Sequence, residues 1–366
     1  MRKGWEYKRW KEVLTIINGK NQSAVVDENG EYPIYGSGGI MGYANNWLCP
    51  ENCVIIGRKG NINKPIFVET KFWNVDTAFG LNANIEYLLP KFLFYFCLDY
   101  NFERHNKAVT IPSLTKADLL KIDIPLPPKS TQLAIVSELD KINELIRLKK
   151  EQLKDFDNLA QSLFYEMFGD PVENEKGWEV KTFGEIGSVE RGAGISKKDF
   201  VKEGLPCIHY GQLHTILGPR TTKHFTSIPH NLLPKYKIAH TGDLVMAITS
   251  EDVEGSCKST VWLGDYDIIV GSDAAIFHHK QDGTFLSYYT MTKAFFNEKA
   301  KYAKGFKVTH ISAKEIEKIP VYLPPLPLQR LFAQRIEQIE REKSEVQKSI
   351  QDLETLLASR MQYWFE

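Results

Sequence analysis

Two stretches of the sequence carry side chains that suit contacts with nucleic acid. The first, Arg58-Lys59-Gly60-Asn61-Ile62-Asn63-Lys64, is rich in basic and amide groups and lies between two short apolar runs. Basic side chains bind phosphates, and amide groups can hydrogen-bond to base edges. We therefore predict DNA contacts from Arg58, Lys59, Asn61 and Lys64. A solvated hairpin tip explains the same composition equally well.

The second stretch, residues 299–307, places four lysines and two aromatic residues within nine positions. Basic residues interleaved with aromatic residues are typical of nucleic-acid surfaces. An exposed helix end is almost as good an explanation. Earlier in the same half of the chain, an Arg-Gly-Ala-Gly turn and a Lys-Lys pair add positive charge. The contacts predicted in this half are Arg191, Lys197, Lys198, Lys301, Lys304 and Lys307.

No pattern of a known active site accompanies these basic stretches. Gly255-Ser-Cys-Lys-Ser-Thr260 resembles the end of a phosphate-binding loop, but Cys257 stands where a glycine must precede the lysine. Cys49 and Cys53 lack a second Cys/His pair, so we expect no zinc site. The Asn/Asp-Pro-Pro-Tyr/Phe motif of amino-methyltransferases is also absent. We predict a binding subunit with no catalytic residues, metal or cofactor of its own.

Composition limits the location and the binding mode. The 366 residues are enough for two domains, and 46 basic residues balance 46 acidic ones. Because the net charge is zero, a DNA-binding surface must come from local clusters of charge. The five cysteines are scattered, which argues against a disulfide framework. No apolar run is long enough to span a membrane. We expect a cytoplasmic protein that does not bind membranes.

The elements that must position these side chains occur twice. Residues 122–168 and 319–366 each begin with a short apolar segment and two adjacent prolines, Pro127-Pro128 and Pro324-Pro325. Proline lacks a backbone N–H and disfavours helix in the residue before it. Each helix must therefore begin after its proline pair, and nothing in the sequence interrupts it until about 37 residues later.

An apolar seam follows each of these helices. At alternating steps of four and three residues, nine of ten positions are apolar in the first copy and eight of ten in the second. A mean repeat of 3.5 residues predicts a coiled coil, whereas a single copy would suit an ordinary core helix. Along the chain, the order is domain, helix, domain, helix. The second helix can run back along the first only if the two helices are antiparallel. The predicted seam comprises Ile135, Leu139, Ile142, Ile146, Leu153, Phe156, Leu163, Phe332, Ile336, Ile339, Val346, Ile350, Leu353 and Leu357.

The segments that precede the helices are also related. Lys176-Gly-Trp-Glu179 repeats Lys3-Gly-Trp-Glu6 at an offset of 173 positions. Ser312-Ala-Lys-Glu315 repeats the capping box Thr115-Lys-Ala-Asp118 at an offset of 197, so the second copy holds about 24 extra residues. The predicted domains are residues 1–121, the strand and helix 122–168, the linker and second domain 169–318, and the strand and helix 319–366.

With these alternating duplicates, the sequence resembles the specificity subunits of type I restriction–modification systems. The resemblance covers nearly the whole chain. In two places the pattern is loose, because Thr131 and Leu328 replace the usual glutamate before the glutamine. The matching segments are Ile122–Gln132, Val321–Gln329, Phe168-Gly-Asp-Pro171, Gly177-Trp178, Arg191-Gly-Ala-Gly and Tyr210-Gly-Gln.

The resemblance implies an α+β fold, in which two mixed α/β target-recognition domains are separated by two long helices that form an antiparallel coiled coil. It also implies that each domain reads one half of a bipartite double-stranded DNA target, with the spacer set by the coiled coil. Two modification subunits would carry S-adenosylmethionine and methylate adenine. Restriction subunits would cleave the DNA, and this chain would be non-catalytic.

Three other interpretations stay open. The chain could be an enzyme with an unfamiliar active site, which activity of the purified chain would reveal. It could be a coiled-coil scaffold that binds proteins and not DNA, which failure to bind any duplex would favour. It could also be the specificity component of another restriction class with the same architecture, which neighbouring genes would distinguish.

Overall fold

The computed structural model describes residues 4–106, 110–195, 197–230, 236–305 and 308–365. The chain divides into two compact units. Unit 1 comprises Met1–Glu151 and Gln347–Glu366, and unit 2 comprises Gln152–Val346. Each unit combines one globular segment with part of both long helices. Unit 1 therefore consists of two separate stretches of the chain, and the boundaries between the units lie within the long helices. Within the described residues, no helix is both long enough and apolar enough to cross a membrane.

Unit 1 is built on two small sheets, ordered β2-β8-β5-β6 and β4-β3-β7, and on a β1-β9 pair. Its main core surrounds the fully buried Trp10, Phe92 and Phe102. Its elements are β1 (Glu6–Arg9), α1 (Trp10–Val13), β2 (Leu14–Asn18), β3 (Tyr32–Gly36), β4 (Gly39–Ala44), β5 (Cys53–Gly57), β6 (Ile66–Val68), β7 (Trp73–Asn74), β8 (Ala78–Ala83), α2 (Pro90–Asp99), a 3-10 helix (Phe102–His105), α3 (Lys116–Leu119) and β9 (Asp123–Leu126).

Unit 2 contains larger sheets, ordered β11-β20-β16-β18-β13 and β14-β12-β19-β15, with β10-β22 and β17-β21 pairs. Its elements are β10 (Glu179–Thr182), α5 (Phe183–Ile186), β11 (Gly187–Arg191), a 3-10 helix (Lys197–Asp199), β12 (Leu205–Ile208), α6 (Tyr210–Thr215), β13 (Arg220–Thr221), β14 (Thr226–Ile228), β15 (Lys237–Ala239), β16 (Leu244–Ala247), β17 (Thr249–Ser250), β18 (Ser259–Trp262), β19 (Ile268–Val270), β20 (Ala274–His279), α7 (Gly283–Tyr289), α8 (Lys293–Ala300), β21 (Thr309–His310), α9 (Ala313–Ile316) and β22 (Pro320–Leu323).

The two units repeat one framework, residue for residue, where the chain enters and leaves each globular segment. In unit 1, β1 pairs antiparallel with β9, and Glu6 lies opposite Leu126. In unit 2, β10 pairs with β22 in the same register, with Glu179 opposite Leu323. These partners are related by the offsets of 173 and 197 found in the sequence. The match extends into α1 and α5, which both begin with a fully buried aromatic residue.

The two long helices are α4 (Lys129–Phe168) and α10 (Leu326–Phe365), each of 40 residues. Each begins at the residue directly after its proline pair, as expected from the missing N–H group. The helix α4 is three residues longer than the predicted length of about 37, because it includes Lys129-Ser130-Thr131 directly after the prolines.

The helices pack antiparallel within both units. In unit 1, Nε1 of Trp364 donates to Glu138 over 2.9 Å, and Lys150 pairs with Glu354 over 2.8 Å. Residue numbers therefore increase along one helix as they decrease along the other. In unit 2, Lys343 pairs with Asp157 over 2.7 Å. The antiparallel coiled coil expected from the seam is confirmed.

The seam positions lie at the interfaces of these helices and in the cores of both units. Ile135 and Leu139 belong to the core of unit 1, while Phe332 and Ile336 belong to the core of unit 2, and all four are fully buried. Every one of the fourteen seam positions is buried or half-buried. Burying one such side chain contributes about 1.5–3 kcal/mol. The helix ends are thus part of each domain core as well as of the coiled coil.

Candidate nucleic-acid interface

The basic loop of unit 1 connects β5 to β6 and is held by its own apolar and amide residues. Ile62 is buried in the main core. Oδ1 of Asn63 accepts the backbone N–H of Phe102 over 2.8 Å. Lys59 and Asn61 before these two anchors, and Lys64 after them, are exposed. The loop therefore presents two ammonium groups and one amide from a fixed backbone, which suits recognition better than a free loop would.

Arg58 is held closer to the domain than its neighbours. Its guanidinium lies 5.8 Å from the ring centre of Phe79, and Nη1 donates weakly to the carbonyl of Asp76 over 3.4 Å. A cation over an aromatic ring keeps its charge and loses freedom of movement. Arg58 remains half-exposed, so it can reach a phosphate only near the root of the loop.

A glycine-rich hairpin lies directly beside the basic loop. Its strands are β3 and β4, and its turn is Ser37-Gly38. A Cβ at Gly38 would lie 3.8 Å from Nδ2 of Asn61, and a Cβ at Gly60 would lie 3.9 Å from Oγ of Ser37. The two segments are about twenty residues apart in the sequence, and nothing in the sequence indicates that they meet. Together they form one surface, which we call the hairpin–loop surface: residues 36–43 and 58–64.

In unit 2 the structure brings Arg191 and Lys197 to one cluster around His209. The side chain of Arg191 donates to the carbonyl of Ser272 over 2.8 Å and lies 3.8 Å from Asp273. Burial lowers the pKa of His209, and the charge of Lys197 lowers it further while Asp273 raises it. A neutral imidazole can then accept the N–H of Gly211, which it does over 3.2 Å. The cluster fixes the start of α6.

The lysines after α8 form ion pairs with carboxylates of the same chain. Lys301 pairs with Glu298 over 2.6 Å, and Lys304 pairs with Glu315 in addition to bridging to His310 through its backbone. Both are exposed, but each faces a carboxylate of its own chain, which offsets its charge. Lys198 is exposed on the 3-10 helix that also holds Lys197. Lys307 lies outside the described residues.

Unit 2 also contains a cavity of about 1180 Å³ that the sequence did not reveal. His214 and the basic Lys258 line it together with the acidic Glu251 and Asp252, and Tyr165 of α4 forms part of the wall. The ring of His214 hydrogen-bonds to the carbonyl of Thr249 over 3.1 Å. A lining with charges of both signs matches base edges, which present both donors and acceptors, better than it matches a row of phosphates. Two segments singled out in the sequence contribute to its lining: the Tyr210-Gly-Gln motif, and Gly255-Ser-Cys-Lys-Ser-Thr260 through Gly255, Lys258 and Ser259.

The chain contains two copies of an α/β unit. Each copy carries exposed basic loops and leads into one helix of an antiparallel pair. This arrangement defines a recognition subunit with two recognition domains. The family model for the type I restriction modification DNA specificity domain matches residues 2–155 and 175–355. The chain belongs to this family, whose members are non-catalytic recognition subunits.

Individual relatives cover the chain almost from end to end. The type I restriction enzyme MjaVIII specificity subunit of Methanocaldococcus jannaschii is 24% identical and aligns with 96% of this chain and 92% of its own. The type I restriction enzyme EcoDI specificity subunit of Escherichia coli is 22% identical, over 94% of this chain and 83% of its own.

Solved structures share the fold. The crystal structure of the type I restriction–modification S subunit from M. genitalium matches with a TM-score of 0.59 at 14% identity, covering 99% of this chain and 96% of that one. A chain from a structural study of complex assembly and conformational transition of the type I system matches with a TM-score of 0.61 at 18% identity, covering 99% and 97%. The fold expected from the sequence is confirmed.

Proposed function

We propose that this chain selects the DNA target of a type I restriction–modification enzyme. Residues 1–121 read one half of a bipartite double-stranded site, and residues 169–318 read the other. The antiparallel helices set the length of the unread spacer. The observation that carries this proposal is the register of β1-β9 and β10-β22. The same pairing of entry and exit strands frames two segments of different sequence in one chain.

The contacts that carry recognition differ between the halves. In unit 1 the hairpin–loop surface offers Lys59, Lys64 and Arg58 to phosphates and Asn61 to a base edge. In unit 2, Arg191, Lys197 and Lys198 supply positive charge beside α6, and the paired Lys301 and Lys304 contribute less. Lys307 stays a candidate from sequence alone.

The partners follow from the family. Type I specificity subunits assemble with methyltransferase and restriction subunits and bind DNA. For this chain we propose two modification subunits, one for each copy of the framework, with S-adenosylmethionine bound in those subunits. A twofold repeat in the chain suits two identical partners. The assembled enzyme acts on DNA in the cytoplasm.

Domain exchange tests this assignment. Residues 171–318 are replaced by the equivalent segment of a relative with a different target, and the methylated motif is read by sequencing the genome of a host that expresses the modification enzyme. One half of the motif should change and the other should stay. The reciprocal exchange of residues 4–121 is the matched control and should change the other half. Changes in both halves from one exchange would refute independent reading.

A further inference from the structure

The tip of the β3–β4 hairpin in unit 1 exposes apolar side chains to solvent. Ile40, Met41 and Tyr43 are 57%, 63% and 46% exposed. A register shift between Ile34 and Tyr35 marks a β-bulge opposite these residues. Bulges bend a strand and redirect its side chains. The sulfur of Met41 would lie 2.6 Å from a Cβ at Gly36, so a larger residue at this position would force the Met41 side chain to shift.

This strand is also an uncovered sheet edge. β4 is the outer strand of the β4-β3-β7 sheet. Near its end, Ala44 bridges to Val26, and the carbonyl of Tyr43 accepts the N–H of Asp27 over 3.0 Å. Along Ile40 and Met41, the described part of the chain provides pairing from β3 alone. Proteins usually protect an exposed apolar edge with charge or proline, so one left bare marks an interaction site.

The charges around the hairpin identify what can cover it. Asn61 and Gly60 lie beside its turn on the hairpin–loop surface, and the exposed Lys59 directly precedes Gly60 in the chain. The acidic Glu28 and Glu31 precede β3, at the opposite end of the hairpin from the turn. The tip is therefore apolar, with an amide and a lysine in the adjoining loop and the acidic residues at the far end, which suits a surface that carries apolar groups between phosphates. The major groove of DNA has that chemistry, since thymine methyl groups line it, and it admits a two-stranded β-ribbon.

We propose that the β3–β4 hairpin is the element of unit 1 that enters the major groove, with Ile40 and Met41 in contact with thymine methyl groups. Asn61 reads a base edge beside them, and Lys59 binds the adjoining phosphate. This inference rests on the proposed function and names the residues that determine specificity in the first half-site.

Removal of the thymine methyl group tests the contact directly. The chain, assembled with its modification subunits, is bound to duplexes of the methylated motif in which deoxyuridine replaces each thymine in turn. Each contacted methyl should be worth about fourfold in affinity, from burial of one carbon group. The loss should occur only in the half-site that the exchange of residues 4–121 alters. In the Ile40→Ala/Met41→Ala variant, replacement of thymine by deoxyuridine should cause no further loss of affinity. This variant should already bind the thymine duplex more weakly than the wild-type chain.

Ile85→Ala is the matched control, because Ile85 is 65% exposed in the same unit and lies outside the hairpin. It should keep both the affinity and the response to deoxyuridine. If the double variant proves unstable, the response of the wild-type complex still decides the matter. A unit 1 half-site without thymine, an unchanged affinity for deoxyuridine, or a double variant that loses only self-association would overturn the inference. Failure of the wild-type complex to methylate any bipartite motif would refute the proposed function instead.

Discussion

Gln132 and Gln329 make the same hydrogen bonds at the same position of the two long helices. Nε2 of Gln132 donates to the carbonyl of Pro127 over 3.0 Å, and Nε2 of Gln329 donates to that of Pro324 over 2.8 Å. Oε1 accepts the N–H of Leu89 in unit 1 and of Asp282 in unit 2, the residues that precede α2 and α7. Each glutamine is almost fully buried. It fastens the start of a long helix to a helix of the recognition domain.

Replacement of either glutamine should destabilise the unit that contains it. Gln132→Ala leaves the N–H of Leu89 and the carbonyl of Pro127 buried without this partner, which should cost about 1–3 kcal/mol. Gln329→Ala should have the same effect on unit 2. Gln338→Ala, at an exposed position of α10, is the matched control and should change stability little. Urea unfolding followed by tryptophan fluorescence measures the difference. Equal midpoints for all three variants would contradict this role.

A charge in the helix seam should be far more damaging than a charge on the outer face of the same helix. Leu139 is fully buried in the core of unit 1, whereas Leu145 is 47% exposed six residues later on α4. Leu139→Asp should cost roughly 3–5 kcal/mol, because the carboxylate is buried without a partner. Leu145→Asp should stay within about 0.5 kcal/mol of wild type. Thermal melting distinguishes them, and similar melting temperatures would show that the seam is not a core.

Local rules account for what the sequence predicted correctly. The proline pairs and the 3.5-residue repeat act within one helix, so the proline pairs could be recognised as boundaries before both long helices and Leu139 as a core position. The two offsets likewise anticipate the register of β1-β9 and β10-β22. Long-range packing determines the rest. The approach of Asn61 to Gly38 depends on how two loops fold together.

Charge pairing was hidden for the same reason. Lys304 pairs with Glu315, eleven residues further on, and no local pattern in the sequence specifies that approach. The cavity near His214 takes its walls from several separate segments, including α4. The number of lysines in a segment does not show which of them face a carboxylate in the folded chain.

Unit 2 should lose stability on acidification because of His279. Burial lowers the pKa of His279 to about 4, and its Nε2 has no hydrogen-bond partner among the described residues. The folded state thus favours the neutral ring. Stability from this group is fully present above about pH 6.5 and falls as the pH approaches 4, by on the order of 3 kcal/mol. His279→Gln should flatten this part of the stability profile, whereas His230→Gln, at an exposed site, should not.

The ends of the chain should tolerate being joined. Trp5 stacks on Trp364 with ring centres 6.4 Å apart, and both lie in unit 1. At the corresponding point of unit 2, Nε1 of Trp178 donates to the carbonyl of Phe168 over 2.7 Å, and residues 169–177 connect the two. A short linker from the last residue to the first, with new ends opened near Asp170, should therefore preserve the methylated motif. Opening the chain within β5 instead should abolish folding, since all five residues of that strand are buried.

Deletion of one heptad from each long helix should shorten the unread spacer of the DNA target. Seven helical residues span about 10 Å, which corresponds to roughly three base pairs. A seven-residue deletion keeps the apolar seam in phase, because equivalent seam positions are one heptad, or two helical turns, apart. Removal of four residues from each helix is the matched control, since it rotates the seam and should destroy packing. The spacer is read from the methylated motif of a host that expresses the variant. An active heptad deletion with an unchanged spacer would show that the helices do not set the distance between half-sites.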